Sequence, residues 1–280
     1  MIELAAAGAR ATILPEAGAS FTHLSVAGRD VLVPSAAGSE PNRGFHGSFL
    51  MAPWTNRLDG GRIMVAGVEH RMAVNRPEEG TALHGFLREL AWELREANAT
   101  GAKLACGFER GPFTGAAVMR IRLAEDHLAL AVSLTNRGGL PAPMGFGWHP
   151  YFPRPAGTRL SATARTVFGR DARNLPIAPR PSTGIRGGDA VLDGLDTHFA
   201  EWDGTAMLDW PDGAGLTLRA SGAWASNLQV FAPPRAAVIA VEPVSHAPDA
   251  ANRPAAAAHG AMHVLQPGAT LEGSLTIHWR

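Results

Sequence analysis

Residues 117–134, AVMRIRLAEDHLALAVSL, decide the fold class. Met119, Ile121 and Leu123 alternate with Arg120 and Arg122; a polar AEDH turn follows, and Leu128, Leu130, Val132 and Leu134 resume the alternation. Period-two burial of this kind is the mark of β-strands with one face in a core. The chain's end, TLEGSLTIHWR at 270–280, repeats it with Leu271, Leu275, Ile277 and Trp279. Shorter pieces behave alike: SFTHLSVAGRDVLV (20–33), RIMVAGVEHRMAV (62–74) and GLTLRASGAW (215–224), the first two with glycine-bearing turns. Many short strands separated by Gly/Pro turns predict a large all-β sandwich or barrel rather than βαβ units.

Three stretches are less regular. LRELAWELRE (87–96) is rich in helix formers, yet it is short and runs into a turn-like NATGA, so strand is the first expectation. RPAAAAHGAM (253–262) reads as a short helix or a loop, and the proline-rich region 150–186 as long surface excursions. With no fixed-period repeat and no linker, residues 1–280 are expected to form one domain.

Composition excludes several function classes. Lys plus Arg and Asp plus Glu are 25 each, so the net charge is zero, without the basic footprint that nucleic acid requires. One cysteine, Cys106 in KLACGF, allows no intrachain disulfide and reads as a buried, inert thiol. The N-terminus carries Glu3 where a signal peptide needs positive charge, and no run approaches the ~18 apolar residues of a membrane span. A cytoplasmic protein without a membrane partner is expected.

Four segments place reactive groups among Gly, Pro and aromatic residues: APWTNRLDGG (Asn56, Arg57), TALHGF (His84), MGFGWHPYF (His149 between Trp148 and Pro150, with the sole tyrosine, Tyr151) and VIAVEPVSHAPDAAN (Glu242). Each has a plain structural reading: a surface arginine, hydrogen-bonded core histidines, a solvated carboxylate, core aromatics. Together they say more. A carboxylate ending an apolar strand gains basicity by desolvation, and imidazole titrates near neutrality, so the two make an acid/base pair for chemistry at pH 7. Arg57 and a second histidine supply donors for hydroxyl groups, and an aromatic platform suits the C–H face of a pyranose. The residues alone therefore support a carbohydrate site without selecting a reaction.

In this order the four segments resemble the aldose 1-epimerase (galactose mutarotase) family over roughly residues 45 to 252. With Pro53-Trp54 and His84-Gly85-Phe86, the chain is similar to a bacterial branch that includes mutarotases of other sugars, sulfoquinovose among them. The resemblance implies an antiparallel supersandwich and interconversion of the α and β anomers of an aldose. It implies Glu242 as the base on O1–H and His149 as the acid on ring O5. Arg57, His84 and Asn56 would hold sugar oxygens, Trp148 and Tyr151 would wall the pocket, and an aspartate would bind ring hydroxyls. That aspartate is best matched by Asp196 in GLDTHF, with Asp193 in VLDG as rival. No cofactor or metal is implied, and the partner is a small sugar, bound by a monomer or homodimer. Arg76 and Arg235 are candidates to meet a phosphate or sulfonate on a modified sugar.

Other classes remain open on the sequence: a sugar-binding or regulatory module without catalysis, a glycosidase pairing Glu242 with Asp196, and zinc on His84, His149 and Glu242.

Overall fold

A computed structural model describes residues 1–36, 39–40 and 44–280. Strands Phe113–Leu123 and His127–Asn136 form the expected hairpin, with Met119 opposite Val132 and Ile121 opposite Leu130. Their alternate apolar side chains are buried, as the period-two pattern requires. Outward, Phe113–Leu123 pairs with Gly101–Arg110 and then with the edge strand Glu93–Ala97. On the other side His127–Asn136 pairs with Thr270–Trp279, which pairs with Gly215–Gly222.

The next strand, Asp196–Asp209, belongs to two layers. Its end, Thr205–Asp209, completes the layer just described, whereas its start, Asp196–Ala200, pairs with Asn227–Phe231. From there a second layer runs through Val238–Val244, Gly147–Pro150, Ser48–Met51, Ser20–Val26, Ala9–Leu14 and Ile2–Ala6. The far ends of the ribbon meet again: Ile2–Ala6 and Ala9–Leu14 pack on Phe113–Leu123, and the Ala5 amide donates to the Ala99 carbonyl at 2.8 Å. Between the layers lies one core that includes Leu4, Ile13, Leu24, Ile121, Val132 and Leu228. The fold is thus the large antiparallel β-sandwich expected.

Residues 87–96 do not form one strand. Leu87–Glu89 is a 3-10 turn, and only Glu93–Ala97 is extended. Local anchoring explains the split: the Trp92 indole donates to the Leu87 carbonyl at 3.3 Å, and the Trp92 amide to Pro15 O at 2.8 Å. Residues 253–262 contain a short helix, Pro254–Gly260.

The region 150–186 departs most from expectation. Twelve of its residues, Arg159–Arg170, form a strand whose Leu160, Ala162, Ala164 and Phe168 are buried. Three of its six prolines, Pro176, Pro179 and Pro181, sit in Pro176–Pro181, an edge strand paired on one side only, the place in a sheet that tolerates a missing N–H. Cys106 is buried, and burial pushes its thiol up to about 11, in keeping with an inert side chain. Among the described residues no helix is long and apolar enough to cross a membrane.

Candidate active site

The middle of the second layer is buried on both sides, since every residue of Val238–Val244, Gly147–Pro150 and Ser48–Met51 is buried. Alternation gives Ile239 and Val241 to the sandwich core, and Ala240, Glu242 and Val244 to the opposite face. Register then assembles a site there. Glu242 lies opposite Gln229, and Gln229 opposite His198. On the other edge Gly147 faces Val244 and Phe152 faces Ile239, a register that sets His149 beside Glu242. His149 in turn pairs with Phe49. Gly147 permits this close packing: a Cβ there would stand 2.7 Å from Val244 Cγ1 and 2.8 Å from Met51 Cε.

Two loops roof this face. Arg57–Asp59 and Thr81–Leu83 pair as a small ladder, so the NRLDG and ALHGF segments arrive together. Asn56 (φ 52°) and His84 (φ 67°) both adopt left-handed backbone, and the His84 amide donates to Asn56 O at 2.8 Å. Non-glycine residues held this way cost of order 1–3 kcal/mol each and cluster at functional sites. Gly85 (φ 62°) follows, and a Cβ on it would collide with the Ala52 carbonyl, which accepts the Phe86 and Leu87 amides. Gly85→Ala is therefore expected to destabilise the protein by about 2 kcal/mol or more and to displace His84; a melting temperature within error of wild type would refute this packing.

Between floor and roof lies an open cavity of about 420 Å³, lined by His84, His149, Arg57, Asp196, Gln229 and Glu242 among others. Its polar groups are interlocked. Glu79 grips Arg57 with two oxygens, accepting from Nε at 2.7 Å and from Nη2 at 2.9 Å, and also accepts from Asn174 at 2.6 Å. Burial is the largest influence and works against charge on Arg57 and on Glu79, but their hydrogen bonds and the surrounding charges together outweigh it; Arg57 is held above its ordinary value and Glu79 below. Asp196 accepts from Arg170 at 2.5 Å and from Gln229 at 2.6 Å, with Arg57 Nη1 at 3.9 Å. Even so, burial raises the Asp196 carboxyl.

At the bottom, His149 Nε2 stands 3.4 Å from Glu242 Oε1. The imidazole stacks on Phe49 (centroids 4.7 Å apart), with Tyr151 at 4.6 Å and the His84 ring edge-on at 5.2 Å. Burial drives both partners toward neutrality. Glu242 is raised well above the ordinary range, with Asp196 adding to the effect and Arg57 opposing it, while His149 falls to about 3 through burial and then the Arg88 charge.

His84 is lowered strongly by burial and by His149, and His198 and His246 fall to about 4, again through burial. These four histidines stay neutral in the folded chain, whereas the unfolded chain takes up protons below about 6.5. Their stabilising contribution is complete above that value and disappears as pH falls toward 4, by about 1.4 kcal/mol per histidine per pH unit. The raised Glu242 and Asp196 carboxyls gain stability over the same range and offset part of this. Four histidines outnumber two carboxyls, so the melting temperature should fall by roughly several degrees between pH 7 and pH 5; a rising profile in differential scanning calorimetry would contradict this.

The structure brings Glu242, His149, Arg57, His84, Asn56, Asp196 and Tyr151 to the cavity. Trp148 is not there. Strand alternation turns it to the sandwich core, 1 % exposed and edge-on to Phe21, so it cannot wall a pocket on the His149 face. Asp193 faces solvent and binds Arg154 at 2.9 Å and the Arg235 amide at 2.7 Å, outside the lining. Arg76 lies at the rim beside Glu78, and Arg235 is absent from the lining. His84, His149 and Glu242 do not bring ligand atoms together: among the described residues the one group of three that does is Asp126, His127 and His278. Glu79, Arg170, Asn174 and Gln229 were not anticipated. Glu79 stands in VNRPEEG two residues before the Thr81–Leu83 strand, a proximity that could have pointed to it; Gln229 is placed by strand pairing, and Arg170 and Asn174 by the end of the Arg159–Arg170 strand and the turn after it.

Comparison with known proteins follows the same line. A family model, Aldose 1-epimerase, matches residues 1–278. YphB, an uncharacterized protein of Escherichia coli K12, is 28% identical over 257 residues, covering 82% of this chain and 83% of its own length. A galactose mutarotase-like protein from Clostridium acetobutylicum superposes with a TM-score of 0.88 at 17% identity, over 99% of this chain and 94% of that one. Galactose 1-epimerase from Lactobacillus acidophilus NCFM does so with a TM-score of 0.78 at 14% identity, over 98% and 92%.

Proposed function

The chain belongs to the aldose 1-epimerase family, and on that premise we propose that it is a cofactor-independent isomerase that interconverts the anomers of a neutral aldose. The observation carrying this reading is the buried His149–Glu242 pair, 3.4 Å apart on the floor of a hydroxyl-binding cavity.

Both groups rest neutral, and transfer of the Glu242 proton to His149, 3.4 Å away, gives the imidazolium and the carboxylate that takes the O1 proton. The C1–O5 bond breaks with its electron pair passing to O5, which receives the proton of the His149 imidazolium, and C1=O1 forms. Rotation about C1–C2 presents the other carbonyl face, and the reverse transfers close the ring to the other anomer. The starting pair (carboxylate, imidazolium) and the pair left beside the open chain (carboxyl, imidazole) hold the same number of protons. Burial raises Glu242 and lowers His149, so it favours the second arrangement and thereby the open-chain complex. A carboxylate so raised is a strong base and an imidazolium so lowered a strong acid, which suits transfer in both directions. Arg57 and His84 would stabilise oxygens as they gain charge, and Asp196 and Asn56 would hold ring hydroxyls.

The cavity itself favours a neutral sugar over a phosphorylated or sulfonated one. Each arginine of its lining already faces a carboxylate: Arg57 with Glu79, Arg170 with Asp196, Arg76 with Glu78. An anionic substituent would compete with one of these carboxylates for its arginine. The test is NMR exchange between anomer signals across neutral, phosphorylated and sulfonated aldoses. Acceleration confined to neutral aldoses is expected; acceleration of anionic sugars alone would overturn the substrate class, and saturable binding without exchange would favour a binding module.

A further inference from the structure

Outside the cavity, a second group of reactive side chains converges at the end of the first layer. His127 and His278 are direct cross-strand partners, so their side chains leave the same face of the sheet, with ring centroids 5.2 Å apart. Asp126, in the turn of the hairpin, places Oδ1 2.7 Å from His127 Nδ1 and Oδ2 3.9 Å from His278 Nδ1. One ligand atom from each lies within 4.8 Å of the other two. The backbone beneath is tied down: the Trp279 indole donates to Glu125 O at 2.6 Å, its amide to Asp126 O at 3.3 Å, and the Ala124 amide to His127 O at 2.8 Å.

We propose that Asp126, His127 and His278 bind a divalent transition-metal ion of the zinc type, which pins the C-terminal strand to the central hairpin. Two imidazoles and one carboxylate suit zinc and its neighbours, whereas magnesium and calcium take oxygen shells. Tetrahedral zinc, with bonds of about 2.0–2.2 Å, holds its ligand atoms about 3.4 Å apart. The two histidines approach different oxygens of Asp126, at 2.7 and 3.9 Å, and all three ligand atoms lie within 4.8 Å of one another, so side-chain rotation of these accessible groups closes three corners. The side chains are accessible, from 27% for His127 to 70% for Asp126, so the ion enters from solvent and keeps water at its fourth corner. The site is independent of the proposed reaction.

The test is calorimetric titration of untagged, chelator-treated protein with zinc chloride, alongside thermal melting. About one equivalent bound with micromolar affinity and a raised melting temperature are expected, with no response to magnesium. His127→Ala/His278→Ala should weaken uptake at least tenfold; the metal-free melting temperature of this variant checks that it is folded. Absence of saturable zinc uptake by wild type, or unchanged uptake by the folded double variant, overturns the site. An equal response to magnesium overturns the metal class.

Discussion

Glu242→Gln should lower the mutarotation rate constant by about a thousandfold while making the protein more stable at alkaline pH. The amide is isosteric but takes no proton, and a positioned base contributes typically 10²–10⁴ in rate. The stability effect follows from burial. The folded Glu242 carboxyl titrates well above its ordinary 4.5, so the folded state retains a proton that the unfolded chain releases. The stability linked to that proton is complete below 4.5 and is lost as pH rises through the raised value. Glutamine has no such loss, so the advantage of the variant should grow from pH 6 to pH 9. Anomer-exchange NMR and melting curves over that range read both effects. A variant equally active with wild type would remove Glu242 from the chemistry; one inactive but less stable at every pH would point to misfolding instead.

His149→Asn should lower the rate about a hundredfold or more, with the opposite pH signature. His149 falls to about 3 in the folded chain against an ordinary 6.5, so it contributes stability above 6.5 that is lost as pH falls. The variant loses the stacking on Phe49 and Tyr151, and its melting temperature at pH 7 should drop. Its further decline from pH 7 to pH 5 should nevertheless be shallower than in wild type. A full rate in a folded His149→Asn protein would exclude the imidazole as proton donor, and a steeper acid decline would contradict its buried, neutral state.

Much of the fold was legible because alternation is a local signal. The 117–134 stretch predicts its own hairpin, and the same rule applied to GWHP would have sent Trp148 to the face opposite His149, where it lies. The proline-rich region misled because a one-sided edge strand tolerates prolines that a central strand would reject. Residues 87–96 misled because two hydrogen bonds of Trp92, one to nearby Leu87 and one to distant Pro15, hold them rather than propensity.

The sequence by itself determined an all-β class, through its period-two burial, and the kinds of chemical group available, through four short motifs. Only the tertiary structure decided which groups meet. Gln229 lies beside Glu242 because two strands pair in one register, and a slip of a single residue would turn each side chain to the other face. Glu79 and Asn174 share a hydrogen bond across 95 residues of chain. Whether burial raises Glu242 or lowers His149 likewise depends on what covers them, and the covering strands and loops come from segments far apart in the chain. Contacts between such distant segments leave no trace in local pattern, because alternation reports which face a residue takes and not which strand lies beside it.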